Sequence, residues 1–161
     1  MANYKNDDRR EAHYTVKELI DGMFEMLQNH KEPITEFLEN SAGDGRLIDA
    51  LKEKYPDTPV LAYDIHDEGR SDIHIIKDYM KEKIEYKKGR VTFINPPFAK
   101  GLKFVYKVLK ESDYVVSILS INSFINIDYD KYIVDEIYIY RKVDFGSCKV
   151  NVCIIGIRNK K

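Results

Sequence analysis

Apolar residues recur at helical spacing near the start of the chain. Val16, Leu19, Ile20, Met23, Phe24 and Leu27 share one face of a helix that reaches about Asn29. Thr15, with Glu18 three residues on, predicts a capping box at its start, and Pro33 closes it. Residues 34–38 read as a first strand, followed by the turn Glu39-Asn-Ser-Ala-Gly-Asp-Gly45 and a helix over 46–55 that buries Leu47, Ile48 and Leu51. Further strands are predicted at 60–65, 73–76 and 90–94, with a charged helix-like stretch over 79–86. Residues 100–110 pattern as a helix with Leu102, Val105, Tyr106 and Leu109 inward, and 114–121 as a fifth main strand. A polar-aromatic loop over 122–132 leads to strands at 134–143 and 149–158, joined around Gly146 as an antiparallel hairpin.

Strands alternating with helices predict parallel βαβ units, an α/β sheet with helices on both faces. In such sheets ligands bind beyond the carboxyl ends of the strands. Asp64, Asp78, Asn95 and the Gly43/Gly45 turn all fall at such ends, so one sheet edge is expected to gather them.

Composition narrows the class. The chain has 161 residues, 43% hydrophobic and 33% charged, which suits one globular domain and excludes a disordered or collagen-like chain. No repeat or linker interrupts it, so residues 1–161 are expected to form a single domain with a polar arm over 1–13. No apolar run approaches the ~20 residues of a membrane span, and the start lacks a secretory signal. A cytoplasmic protein without a membrane partner is expected. Cys148 and Cys153 are too few for a disulfide framework, and the histidines at 13, 30, 66 and 74 form no metal-ligand spacing. Charge is uneven. Up to Asp64 the chain is acidic, and beyond it basic, with Lys77, Lys81, Lys83, Lys87, Lys88 and Arg90 and then Lys100, Lys103, Lys107 and Lys110. Such clusters suit phosphates as well as solvated helix faces.

Two motifs carry chemistry. In the first, glycines directly after a strand let the backbone approach a ligand, and the next helix offers free N–H groups. Asp64, 19 residues after Gly45, is placed to grip the two hydroxyls of a ribose. Together they favour an adenosine-bearing cofactor, although the third glycine of the dinucleotide fingerprint is missing. The second motif is Asn95-Pro96-Pro97-Phe98. Two prolines fix the backbone and remove donors, leaving carbonyls to face the cleft. An amide oxygen beside such a carbonyl pairs two acceptors for one NH2 group, and Phe98 offers a stacking face for a planar base.

With these motifs in this order, the chain resembles class I S-adenosylmethionine-dependent methyltransferases of the amino-methylating branch. It is most similar to DNA N6-adenine methyltransferases, especially small phage-type ones, over residues 14–158. The resemblance implies a Rossmann-like, mostly parallel seven-stranded sheet ended by an antiparallel hairpin, and S-adenosyl-L-methionine as cofactor. It implies that Tyr14 and Thr15 contact the methionine part, and that Glu39, Ser41, Ala42, Gly43 and Gly45 wrap the same end. Asn40 stands where many relatives carry proline, and Val16 likewise. Asp64 with Ile65 would hold the ribose, and Asp78 and Tyr79 would read the adenine, with Asp72 as substitute. Asn95, Pro96, Pro97 and Phe98 match the catalytic tetrapeptide in full, Asn95 also facing the cofactor.

DNA is thus the expected substrate and partner. Related tetrapeptides also serve RNA adenine and protein glutamine methylation, and a non-catalytic binding subunit or anti-defence decoy is a further reading. No separate target-recognition domain is visible. The stretches 122–132, with Phe124, Tyr129 and Tyr132, and 77–90 are the expected substitutes, with a homodimer or a recognition partner as the other route.

Overall fold

Alternate residues along the central strands point to opposite faces, and each face finds its own cover. The computed structural model describes residues 14–70, 75–146 and 148–161. Its strands are β1 (Glu36–Glu39), β2 (Val60–Asp64), β3 (Ile75–Ile76), β4 (Arg90–Ile94), β5 (Tyr114–Ser120), β6 (Tyr132–Asp144) and β7 (Lys149–Asn159). Its helices are α1 (Lys17–Gln28), α2 (Arg46–Lys54), α3 (Gly101–Val108) and α4 (Ile121–Ile125). On one face Phe37, Phe93, Val116 and Ile118 pack with Leu19, Met23 and Leu27 of α1 and Leu47 and Leu51 of α2. On the other, Leu38, Ile94, Val115 and Leu119 pack with Phe104, Val105 and Val108 of α3.

The seven strands form one sheet in the order β3-β2-β1-β4-β5-β7-β6. The first five are parallel, while β7 runs antiparallel between β5 and β6. This is the expected Rossmann-like architecture. Ser120, at the carboxyl end of β5, pairs with Val152, so the turn joining β6 to β7 extends past the same edge to which the parallel strands point their carboxyl ends.

Several local expectations are corrected. Thr15 does not cap α1: the cap position is Val16 and no side chain bonds there, because the Thr15 hydroxyl accepts a hydrogen bond from Asn95 instead. The stretch read as a helix over 79–86 is a single 3-10 turn, Tyr79–Lys81. Tyr79 is its buried residue and most of the positions from 80 to 86 are exposed, so no apolar stripe exists to hold a longer helix. Part of the loop over 122–132 is instead α4, started by the Ser120 hydroxyl accepting from the Ser123 N–H. In α3 the buried side is Phe104, Val105 and Val108, with Leu102 and Tyr106 only half-buried. Residues 73 and 74 of the predicted third strand, together with His13 and Asp72, lie outside the described residues.

The basic stretch over 77–90 is turned largely to internal work. Arg90 is buried, its guanidinium bonded to Glu36 at 2.6 Å and to the carbonyls of Glu85 and Glu111 at 2.8 and 3.0 Å. Lys87 also reaches Glu36, at 2.9 Å, and Lys77 and Lys81 face Glu82 and Asp78. Among the described residues no helix is long and apolar enough to cross a membrane.

Candidate functional site

The turn after β1 is shaped by glycine. Gly43 and Gly45 hold φ of 55° and 84°, left-handed values that cost a glycine little, and Gly45 starts α2. The Gly43 N–H donates to Asp64 Oδ2 at 2.7 Å, and the His66 N–H to Asp64 Oδ1 at 2.8 Å. One carboxylate at the end of β2 thereby joins two loops. A carboxylate offers about four acceptor directions, so each oxygen keeps one for a ligand hydroxyl.

The second motif leaves β4 directly beside this turn. Asn95 Nδ2 donates to Thr15 Oγ1 at 3.0 Å, which fixes the rotation of the amide. The Ser41 hydroxyl reaches the Asn95 carbonyl at 3.0 Å, and the Pro97 carbonyl accepts from Lys100 N at 3.0 Å. Among the described residues the hydrogen bonding therefore engages the carbonyls of Asn95 and Pro97 and leaves that of Pro96 for a ligand. That corrects the expectation that the motif's carbonyls are open generally. Phe98 meets Phe145 edge to face, with ring centroids 5.5 Å apart. Phe145 belongs to the β6–β7 turn, and nothing local in the sequence signals that contact.

Glu39 sits underneath. It is completely buried, its Oε1 accepting from the Ser41 N–H at 2.8 Å while Oε2 has no hydrogen-bond partner among the described residues. Burial, with the nearby Asp64 charge adding to it against the Ser41 bonds, pushes its carboxyl up to about 8. Glu39 is therefore mostly protonated at neutral pH. Asn40 beside it is buried too, with no partner for its amide oxygen among the described residues.

Around these groups lies a cavity of about 280 Å³. Tyr14, Thr15, Ser41, Ala42, Gly43, Asp64, Ile65, Asp78, Tyr79, Asn95, Pro96 and Pro97 all line it, so the structure gathers most of the residues singled out from the sequence. Glu39, Gly45 and Phe98 are not on its wall: Glu39 is fully buried behind Ser41, Gly45 caps α2, and Phe98 is half-buried against Phe145 and the core. Tyr79 presents its ring, not its hydroxyl, which donates to the buried Glu111. Lys107 lies over the same ring, 4.2 Å from its centroid, and bonds Glu111 at 2.6 Å. Burial and Glu111 together push the Tyr79 phenol strongly upward. Asp78 accepts from the Met80 N–H at 3.0 Å.

Sequence reasoning missed Arg46, Glu68, Lys100 and Phe104, which also line the cavity. Arg46 stands 5.2 Å from the Tyr14 ring centroid and donates to the Thr15 carbonyl at 3.1 Å. Burial and then Glu68 push the Tyr14 phenol upward. Tyr14 is thus held between the start of α2 and the loop after β2. Position at the first residue of a helix was the one available signal for Arg46, and it is a weak one.

No protein-family model matches the sequence, and no curated protein does. Solved structures match in shape. The 23S rRNA methyltransferase ErmE superposes with a TM-score of 0.66 at 15% identity, over 91% of this chain and 69% of its own. A candidate RNA methyltransferase from Pyrococcus horikoshii gives 0.70 at 14%, over 92% and 87%. An RNA methyltransferase from Salinibacter ruber, in complex with S-adenosyl-L-homocysteine, gives 0.58 at 14%, over 91% and 92%. Identities this low speak for architecture alone: the chain has the Rossmann-like fold of the class I methyltransferases.

Proposed function

We propose that the protein is an S-adenosylmethionine-dependent methyltransferase acting on the exocyclic N6 amine of adenine in a polynucleotide, with DNA the first substrate to test. The observation that carries this reading is Asn95 with its amide rotation fixed by Thr15, standing next to the Pro96 carbonyl on the wall of the cavity. The cavity suits the cofactor: Asp64 keeps an acceptor direction on each oxygen for a ribose, Tyr79 and Phe104 give apolar faces for an adenine, and the buried amide oxygen of Asn40 lacks a partner among the described residues. Tyr14, Thr15 and Ser41 would hold the methionine end. The chemistry S-adenosylmethionine supplies there is an electrophilic methyl group on a sulfonium.

The chain's residues supply the rest. An adenine N6 lone pair is delocalised into the ring, which makes the amine a poor nucleophile. Asn95 Oδ1 and the Pro96 carbonyl accept its two hydrogens, favour a pyramidal nitrogen, and stabilise the positive charge that grows on it during attack. Phe98, braced by Phe145, stacks on the base and keeps the nitrogen in line. That aromatic pair fits a planar base better than a flexible glutamine side chain. RNA is the second reading, since ErmE and the Salinibacter ruber protein are RNA methyltransferases and the Pyrococcus horikoshii protein is a candidate one.

The test is methyl transfer from labelled S-adenosylmethionine to unmethylated DNA and RNA, followed by nucleoside mass spectrometry. N6-methyladenine is expected, and it should vanish with Asn95→Ala while S-adenosylhomocysteine still binds. Cofactor binding with no transfer to either nucleic acid would favour the non-catalytic reading, and no cofactor binding would overturn the proposal.

A further inference from the structure

The strand ends that flank the β6–β7 turn carry cations that form no ion pair among the described residues. These are Arg141, Lys142 and Lys149, all exposed. In the other basic stretch Arg90, Lys87, Lys77 and Lys81 are occupied with neighbouring acids, which leaves Lys83 and Lys88 exposed without one among the described residues. The turn's one acid, Asp144, accepts from the Gly146 N–H at 2.8 Å. The antiparallel register carries the turn beyond the sheet edge at which the cavity opens. Phe145, on the turn, touches Phe98, which directly follows the cavity-lining Pro97. Arg141 and Lys149 each lie four residues from Phe145, about 13 Å at most along an extended chain.

The backbone there is also unusual. The β6–β7 register slips between Tyr140 and Val143, so Arg141 and Lys142 form a bulge, and Lys142 holds φ of 51° with its N–H bonded to Asn151 Oδ1 at 2.9 Å. It is the only residue other than glycine with positive φ among those described. Bulges bend a strand and re-aim its side chains, and they gather beside functional sites. Lys100 completes the pattern from the other side, on the cavity wall next to Pro97.

We propose that this end of the hairpin is the surface that grips the phosphates of a single polynucleotide strand, with Arg141, Lys142 and Lys149 as the contacts and the base directed toward the cavity beside Pro96 and Pro97. The proposal rests on the reading of the cavity as an adenine methylation site. An unpaired strand is the occupant because its base reaches the mouth without first leaving a duplex stack, and a few cations beside an aromatic pair are the usual means of holding one.

The experiment measures binding of the full chain to a fluorescent single-stranded 16-mer oligodeoxynucleotide by anisotropy, from 50 to 300 mM salt. The variant Arg141→Gln/Lys142→Asn/Lys149→Gln keeps a residue tolerant of positive φ at 142. Its log–log salt slope should be shallower by about 2, at roughly 0.7 per lost phosphate contact, with affinity at 50 mM at least tenfold weaker. A control of equal charge change, Lys31→Gln/Lys88→Gln/Lys160→Gln, alters the hollow at the opposite edge and should leave the slope unchanged. Both variants should bind S-adenosylhomocysteine as the parent does. Equal slopes in all three proteins, equal losses in both variants, tighter binding of a duplex of the same sequence, or no binding by the parent would each overturn the proposal. If the turn variant alone loses the strand while the parent methylates nothing, the phosphate surface stands and the methylation reading falls.

Discussion

Replacing Glu39 by Gln separates what the buried acid does for the fold from what it does for the site. The folded chain holds the Glu39 proton up to about 8, whereas the ordinary carboxyl releases it near 4.5. Between those values the folded state binds more protons than the unfolded one, so stability falls as pH rises through that window and levels off above it. At about 1.36 kcal/mol per pH unit, the interval from 4.5 to 8 bounds the loss at roughly 5 kcal/mol. Relaxation of the loop around the newly charged carboxylate reduces the bound, and ~2–3 kcal/mol is the expected size. Glutamine preserves the shape and cannot ionise. Urea unfolding followed by far-UV circular dichroism, at pH 5 and at pH 8.5, reads the effect. The parent should lose stability across this range while Glu39→Gln stays nearly level. The variant should be close to the parent, or slightly weaker, at pH 5 and more stable at pH 8.5. Parallel pH curves for the two proteins would refute the reasoning. Under the proposed function, a cationic ligand above Glu39 should draw its proton off, so binding S-adenosylmethionine at pH 7 should release a proton that calorimetry in two buffers detects. Glu39→Gln should bind it without that release.

Asp64→Asn should weaken S-adenosylhomocysteine at least tenfold in calorimetry, since it loses charge-assisted bonds to a ribose and to the N–H groups of Gly43 and His66. Tyr79→Phe keeps the ring on the cavity wall but removes the donor to Glu111 Oε2, leaving Lys107 on the other oxygen, so thermal unfolding should show a loss of about 1–3 kcal/mol while cofactor affinity changes less than threefold. Arg90→Met leaves Glu36 with Lys87 alone and frees two carbonyls. It should cost about 3–5 kcal/mol in urea unfolding without altering the salt slope of strand binding, in contrast to the turn variant.

Much of the site was legible because its residues sit at strand ends. β4 runs over the five residues its apolar pattern marks, and motifs placed right after β1, β2 and β4 had to converge once those strands paired as parallel neighbours. What escaped depends on partners distant in sequence. Thr15 looks like a cap until Asn95, 80 residues later, claims its hydroxyl. Arg90 looks like one more cation in a basic run until the fold buries it on Glu36. The Phe98–Phe145 contact exists only because β7 folds back beside β5, and no local spacing encodes that. The charged stretch after Asp78 misled in the other direction: its alternating signs support a helix locally, but without an apolar stripe nothing fastens one to the sheet.

The placement of β7 between β5 and β6 has a consequence for synthesis. The last of the seven strands in sequence enters the sheet one place in from its border, between two strands made before it. While it is still being made, β5 and β6 have no common neighbour, and the apolar flank of β5, with Val116, Ile118 and Leu119 buried in the finished fold, offers an open border to any passing strand. A growing chain can pair β1, β2 and β4 early, but Phe145 meets Phe98 only once β7 has docked beside β5. The Phe98–Phe145 contact therefore forms after the five parallel strands, and a chain cut short within β7 should aggregate before it could act on any substrate.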